Sequence, residues 1–185
     1  MRIFFAIDFP ENIKEILLER ITKLKRSFPA FKWIRKPALH LTLKFIGEIP
    51  FDTVDQIADM LTEPLGSIDS FSLSTTQFGF FPNSKRARVF YLDLEKSETL
   101  NRCFNTIEQN LESLGIEKEN RRFHPHITLA RIKNTNLSDD EITILSNQKI
   151  QKLTTDVHEI ILMQSELSPS GARYTPVQRF SLRQV

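Results

Sequence analysis

Apolar residues recur along the chain with two different spacings. A spacing of three and four residues predicts four amphipathic helices, which begin near Glu11, Asp52, Ser97 and Ser138. Asp52 and Ser97 are placed to cap their helices, and Ser138 begins a capping-box pattern. Runs rich in Phe, Ile, Val, Leu and Thr lie between the helices and predict strands at about 2–8, 40–46, 70–78, 87–94, 126–132, 156–163 and 176–183.

The order of these elements indicates the fold class. Some strands follow one another directly, whereas others are separated by a single helix, which favours an α+β fold with mainly antiparallel sheets over a doubly wound parallel sheet. The segment His40-Leu41-Thr42-Leu43 recurs as His126-Ile127-Thr128-Leu129, 86 positions later. This short repeat suits two similar lobes with helices on the outside, each contributing one strand to a shared site.

Composition narrows the class of protein. The 185 residues suggest one domain or a small two-lobed body. A single cysteine, Cys103, excludes an intramolecular disulfide and favours a cytoplasmic location, and its place on an apolar helix stripe indicates a core residue. No apolar run approaches the roughly 18 residues of a membrane helix. Basic clusters such as Lys85-Arg86-Ala87-Arg88 are either solvated surface or a means of attracting an anionic substrate.

The repeated His-x-Thr is the chemical signal in the sequence. Side chains of a strand alternate between its two faces, so His40 and Thr42 share one face, and Lys44 has the same parity. His126 and Thr128 are arranged in the same way. Each motif therefore presents an imidazole and a hydroxyl on one face. Its apolar residues on the other face pack into a core.

Two histidines on opposite sides of a phosphorus atom can divide the work of phosphoryl transfer. A neutral imidazole takes a proton from the attacking water, and a protonated one gives a proton to the departing oxygen. Threonine hydroxyls and a cation such as Lys44 can hold the phosphate oxygens, and no metal or cofactor is required. A single histidine on a strand is usually structural, which is our interpretation of His158. Zinc binding by His40, His124 and His126 is an alternative, although the chain has neither HExxH nor a CxxC pair.

With these motifs the chain resembles the two-histidine phosphoesterases, and among them the LigT-like RNA 2′,3′-cyclic phosphodiesterases. The resemblance extends over nearly the full length. It rests on residues 2–7, Trp33, Pro37, the segment 40–47, Phe78-Gly79, Phe81-Pro82, Arg88-Val89, the segment 124–131, Ser165-Glu166-Leu167 and the segment 171–174. It implies a single bilobal domain over 1–185, with the motif strands facing each other across a central groove.

The resemblance also implies an activity and residue roles. The enzyme would hydrolyse a 2′,3′-cyclic phosphate at an RNA end and leave a 2′-phosphate, and the same chemistry reversed would join RNA ends through a 2′–5′ link. His40 would be the proton donor and His126 the proton acceptor, while Thr42 and Thr128 would hold phosphate oxygens. Arg131 has the opposite parity to His126, so a role in phosphate binding requires a twist or a bulge in the strand.

The remaining expectations concern the rest of the substrate. Base stacking on aromatic side chains would give selectivity for RNA ends, and Phe80, Phe81 and Tyr174 are the candidates for the groove. Arg86 and Arg88 are candidates for contacts to the RNA backbone. His124 is expected to orient a neighbouring residue. The alternatives are a non-catalytic RNA-end binding protein on the same scaffold and a metal-dependent phosphoesterase. Neither a membrane nor an obligate protein partner is expected.

Overall fold

The computed structural model describes residues 1–133, 136–168 and 171–184. These ranges contain four α-helices: α1 (Glu11–Ser27), α2 (Asp52–Gly66), α3 (Glu98–Glu112) and α4 (Asp139–Ser146). They also contain nine strands: β1 (Arg2–Asp8), β2 (Lys32–Trp33), β3 (His40–Glu48), β4 (Phe71–Phe81), β5 (Val89–Leu94), β6 (His126–Arg131), β7 (Thr154–Val157), β8 (Glu159–Ser168) and β9 (Gly171–Ser181). No helix within these ranges has the length and apolar character needed to cross a membrane.

Two of the three predicted helix caps form. The Ser97 hydroxyl accepts a hydrogen bond from the Leu100 amide at 3.2 Å. Ser138 and Glu141 form a reciprocal capping box, with bonds of 3.2 and 2.9 Å. The prediction for α2 is wrong, because Asp52 is already the first helical residue, after a cap residue whose side chain accepts no bond. In the first turn the Asp52 carboxylate favours the helix through its charge near the positive end of the dipole.

The strands pair antiparallel in the order β7-β4-β5-β6-β3-β1-β8-β9, and β2 pairs with β6. The single strand predicted over 156–163 is interrupted at His158. Before this residue β7 pairs with β4, and after it β8 pairs with β1 and β9. The segment 154–168 therefore contributes one strand to each half of the sheet. The periodicity of its sequence alone does not reveal this division.

The helices cover one face of the sheet. The apolar stripes of all four helices join one core cluster with Ile3, Phe5 and Ile7 of β1. The intervening residues Phe4 and Ala6 belong to a small separate cluster with Ile161 and Met163 on the other face. These contacts confirm the α+β class with helices outside and leave the second face of the sheet available for the site.

Cys103 lies in the main core with its side chain fully covered. Burial raises the pKa of its thiol to about 12, so the thiol stays protonated near neutral pH. It is a core residue, as the sequence indicates.

The two halves share a strand–helix–strand unit that extends beyond the four-residue repeat. β1, α1 and β3 form one unit, and β5, α3 and β6 form the other, with antiparallel pairing in each. The cross-strand pair Leu41↔Ile127 joins β3 to β6. Around this pair the antiparallel direction sets His40 towards Thr128 and Thr42 towards His126.

Candidate active site

A cavity of about 710 Å³ lies on the sheet face opposite the helices, where β3 meets β6. Both motif histidines and both motif threonines line it, so the structure brings the two His-x-Thr elements together. Four cationic side chains, Arg2, Lys32, Arg35 and Arg131, also line it. Neither Asp nor Glu occurs among the described lining residues. A concave, cationic surface with two imidazoles is suited to an anion.

The expected place of Lys44 is wrong. The register between β1 and β3 pairs Phe5 with Lys44 and Ala6 with Thr42, so it skips the intervening leucine and reverses the parity after it. Lys44 therefore points to the helix face, where its Nζ lies 2.8 Å from a Glu108 carboxylate oxygen and donates to the Glu117 carbonyl at 2.6 Å. It does not line the cavity.

A matching irregularity in β6 changes the face on which Arg131 lies. The register between β5 and β6 pairs Phe90 with Ala130 and Tyr91 with Thr128, and it skips Leu129. Of the twist or bulge that a role for Arg131 requires, the structure shows the bulge. It turns Arg131 to the same face as His126, and Arg131 lines the cavity.

The bulge in β3 brings Phe45 to the groove, a residue that the sequence interpretation missed. Phe45 is 47% exposed and lines the cavity, and the Arg2 guanidinium lies 4.9 Å from its ring centroid. Its position five residues after His40 matches that of Arg131 after His126. The strict alternation of a regular strand assigns Phe45 to the core, so only knowledge of the bulge could have identified it.

The His40 ring packs against two aromatic rings, which also contact each other. Its ring centroid is 5.0 Å from that of Phe4 and 5.2 Å from that of Tyr174. Burial lowers the pKa of His40 to about 4, and the nearby Asp8 charge and a hydrogen bond to the Pro37 backbone oppose this shift.

His126 occupies a similar setting in the other half. Its ring lies 4.8 Å from Phe81 and 5.3 Å from Tyr91, between centroids. Its Nδ1 is 2.7 Å from the main-chain carbonyl oxygen of His124. Burial lowers the pKa of His126, while the His124 carbonyl and the Asp93 charge act in the opposite direction.

The other groove candidates have different outcomes. Tyr174 lines the cavity beside His40, and Phe81 contacts the rings of both histidines in the second half. Phe80 is only 8% exposed and packs against Phe90 in the core, because it lies on the opposite face of β4 from Phe81. The expectation for Phe80 is therefore wrong.

Arg86 and Arg88 are exposed and do not line the cavity. The Arg86 amide donates to the Asn83 side chain, and the Arg88 amide donates to the Phe81 carbonyl. These backbone bonds belong to the turn between β4 and β5, whose residues are not among those that line the cavity. The expected contacts to the RNA backbone find no support in their placement.

The zinc alternative requires His124 to turn towards His126 and His40. Instead, its Nε2 donates to Asp93 Oδ1 at 2.6 Å. Across residues 1–133, 136–168 and 171–184, no group of three or more His, Cys, Asp or Glu side chains is arranged to hold a metal ion. His158, at the break between β7 and β8, is exposed, and its carbonyl accepts the Leu182 amide.

The sequence and the fold place the chain in a known class of proteins. The family model described as the 2′-5′ RNA ligase superfamily matches residues 9–169, and the chain belongs to this superfamily. It is 28% identical over 183 residues to an RNA 2′,3′-cyclic phosphodiesterase of Methanothermobacter thermautotrophicus, covering 98% of this chain and 99% of that protein. It is 32% identical over 175 residues to the protein of the same name from Thermotoga maritima, covering 94% and 91%.

Solved structures give the same grouping. A Thermus thermophilus protein superposes with a TM-score of 0.82 at 30% identity, covering 100% of this chain and 99% of that one. Escherichia coli LigT in its apo form superposes with a TM-score of 0.80 at 27% identity, covering 99% and 98%. The resemblance to the LigT-like proteins is confirmed over the whole length.

Proposed function

We propose that this protein hydrolyses 2′,3′-cyclic phosphates at RNA ends and leaves a 2′-phosphate, with His40 and His126 sharing the proton transfers. The observation that carries the proposal is the single cavity onto which both His-x-Thr motifs open. Full-length relatives named RNA 2′,3′-cyclic phosphodiesterase support the substrate class. A structure of Escherichia coli LigT complexed with 3′-AMP, 26% identical to this chain, supports a nucleotide-sized ligand.

The reaction needs one proton removed and one supplied. His126 takes a proton from water as the water oxygen bonds to phosphorus. The bond from phosphorus to the ribose O3′ breaks, and His40 gives a proton to that oxygen, so the phosphate remains on O2′. The roles of donor and acceptor follow the family resemblance, since burial lowers the pKa of both histidines.

The negative charge of the phosphate favours the protonated form of His40, which the proton donor requires. Burial favours the neutral form of His40, and its pKa is about 4 in the protein alone. A cyclic phosphate beside the ring favours the charged imidazolium and raises this pKa. Protonation of the donor is therefore linked to substrate binding.

Hydroxyl and guanidinium groups stabilise the phosphate oxygens as the negative charge develops. Thr42 and Thr128 lie two residues after their histidines on the same strand faces, and Arg131 reaches the cavity through the bulge. Hydrogen bonds to charged acceptors contribute roughly 1.5–3 kcal/mol each. The surrounding cations also attract the polyanionic RNA.

Reversible ligation uses the same groups. An RNA 5′-hydroxyl in place of water would attack the phosphorus and lose its proton to His126, and the O3′ bond would break as before. The product is a 2′–5′ phosphodiester. The name of the superfamily favours this second activity.

The test is to incubate the protein in EDTA with an RNA ending in a 2′,3′-cyclic phosphate and to determine which hydroxyl keeps the phosphate. We expect a 2′-phosphate, and turnover reduced roughly 10²- to 10⁴-fold in His40→Ala and in His126→Ala. His158→Ala is the matched control. A 3′-phosphate product, or wild-type turnover in either motif variant, would contradict the mechanism. Tight RNA binding without product would favour a non-catalytic binding protein. Loss of turnover in EDTA that zinc restores would favour a metal-dependent enzyme.

A further inference from the structure

The two motif histidines are each faced by an aspartate from the neighbouring strand. The β1–β3 register pairs Asp8 with His40, and the β5–β6 register pairs Asp93 with His126. Residues opposite one another in an antiparallel pair lie on the same face of the sheet. The sequence repeat does not include these aspartates, because they lie in the partner strands.

The side chain that pairs with each aspartate differs between the halves. Lys14 Nζ lies 2.7 Å from one Asp8 carboxylate oxygen and 2.8 Å from the other. The partner of Asp93 is instead His124, whose Nε2 lies 2.6 Å from Asp93 Oδ1. The second half therefore places an imidazole where the first half has an ammonium group. The first half has no counterpart of His124, because the residue two positions before His40 is Ala38.

His124 also contacts His126 through its backbone. The His126 Nδ1 lies 2.7 Å from the His124 carbonyl oxygen. A carbonyl oxygen only accepts, so Nδ1 carries the hydrogen and Nε2 carries the lone pair of the neutral ring. Nε2 is then the proton acceptor of the proposed reaction.

We propose that Asp93 and His124 form a positioning pair that holds His126 in this tautomer. The inference deepens the proposed function and rests on it. Pro125 follows His124 directly and fixes its own φ, and the Pro125 carbonyl accepts the Leu94 amide at 3.2 Å. The side-chain bond from His124 to Asp93 holds the other end of this segment against β5. With both ends held, the His124 carbonyl stays in line with Nδ1.

Aromatic packing supports the same arrangement. Phe81 and Tyr91 stack at 4.2 Å between centroids and contact both imidazoles of the second half, with Phe81 at 5.1 Å from His124 and 4.8 Å from His126. Gly79 permits this packing, because a Cβ there would lie 2.5 Å from atoms of the Tyr91 ring. The rings limit rotation of both histidines.

Two neighbouring charges act on the pKa of His126. Among the described groups, Asp93 on β5 raises the pKa of His126, and the charge of His124 lowers it. Tyr91 is the other titratable group against the ring, and burial raises its pKa, so it stays neutral near pH 7. Loss of the Asp93 charge therefore lowers the pKa of His126, a change that a purely structural role for Asp93 would not produce.

The test compares Asp93→Asn and His124→Ala with Glu95→Gln, which removes a similar carboxylate two residues further on that pairs with Lys152 at 2.6 Å. The substrate is cytidine 2′,3′-cyclic monophosphate. We expect kcat to fall about 10- to 100-fold in the first two variants at nearly unchanged KM, which is the scale of losing a partner that orients a metal-binding histidine. In Glu95→Gln, kcat should be unaffected. The acid limb of the pH–rate profile should move to lower pH in Asp93→Asn.

A rescue variant separates positioning from folding. His124→Lys places an ammonium group opposite Asp93, as Lys14 does opposite Asp8, and should recover most of the lost kcat. Nitrogen-15 NMR of the His126 ring adds a readout that does not require activity: the wild type should show Nδ1–H, and Asp93→Asn a mixture of tautomers. Wild-type kcat with an unchanged tautomer in Asp93→Asn and His124→Ala would overturn the inference. If the wild type cleaves no cyclic phosphate, the proposed function fails, and the NMR result still decides the positioning claim.

Discussion

Leu43 and Leu129 occupy equivalent places in the two motif strands, and the register of the neighbouring strand skips both of them. Each lies three residues after a motif histidine, and each bulge reverses the faces of the residues that follow. The first bulge turns Lys44 into the core and Phe45 to the groove, whereas the second turns Ala130 into the core and Arg131 to the groove. The same backbone irregularity occurs in both motif strands and determines which of these side chains line the cavity.

Arg131→Gln should lower kcat/KM for a 2′,3′-cyclic phosphate by about 10- to 100-fold, which corresponds to the roughly 1.5–3 kcal/mol of one hydrogen bond to a charged group. Steady-state kinetics measures the effect. Arg88→Gln is the matched control, because Arg88 is exposed and lies outside the cavity. Equal losses in the two variants would show that Arg131 contributes only general charge.

Phe45→Ala should raise KM for an RNA ending in a cyclic phosphate by about 5- to 100-fold with little change in kcat, the effect of losing one base-stacking surface worth ~1–3 kcal/mol. Phe51→Ala removes another exposed phenylalanine, 66% exposed beside α2, and should leave KM unchanged. A fall in kcat at constant KM in Phe45→Ala would contradict a substrate-binding role.

Lys44→Met should destabilise the fold by about 3–5 kcal/mol, because it leaves the buried Glu108 carboxylate without its cation. The double variant Lys44→Met/Glu108→Leu should recover most of this loss. Urea unfolding measures both effects. Retention of near wild-type kcat in the stable double variant is expected, and its loss would show that Lys44 takes part in catalysis after all.

Stability should depend on pH through His40. The unfolded chain gains a proton at this residue as pH falls through 6.5, whereas burial delays the same step to a pKa of about 4 in the folded protein. The free energy of unfolding therefore falls between pH 6.5 and 4, by about 3 kcal/mol from this side chain. His126, whose pKa is also lowered by burial, acts in the same direction.

Urea unfolding of the wild type and of His40→Gln at pH 7 and pH 5 measures this contribution. The variant should lose less stability between the two pH values than the wild type does. His158→Gln, at an exposed position, should behave like the wild type. An identical loss in His40→Gln would show that burial of the imidazole does not control the acid sensitivity.

Much of the site could be predicted from the sequence because regular alternation holds at its centre. His40 and Thr42, and likewise His126 and Thr128, share a face as a regular strand requires, and both pairs reach the cavity. Regular alternation ends three residues after each histidine, where the bulges lie. A bulge has no simple sequence signal here, since both skipped residues are leucines within apolar runs.

Other parts of the site depend on pairings between distant strands. Asp8 and Asp93 face the motif histidines only because β1 pairs with β3 and β5 with β6. The strand predicted over 156–163 is divided at His158 because β7 pairs with β4, whereas β8 pairs with β1 and β9. Long-range register of this kind is determined by the whole core, so local periodicity could not supply it.

In the proposed mechanism, His40 and His126 act on one phosphoryl group. NMR titration of the protein with inorganic phosphate, followed through the ring resonances of His40, His126 and His158, tests this most directly. We predict that His40 and His126 shift together with the same Kd and that His158 does not move. A shift of only one motif histidine, or two different Kd values, would contradict the shared site.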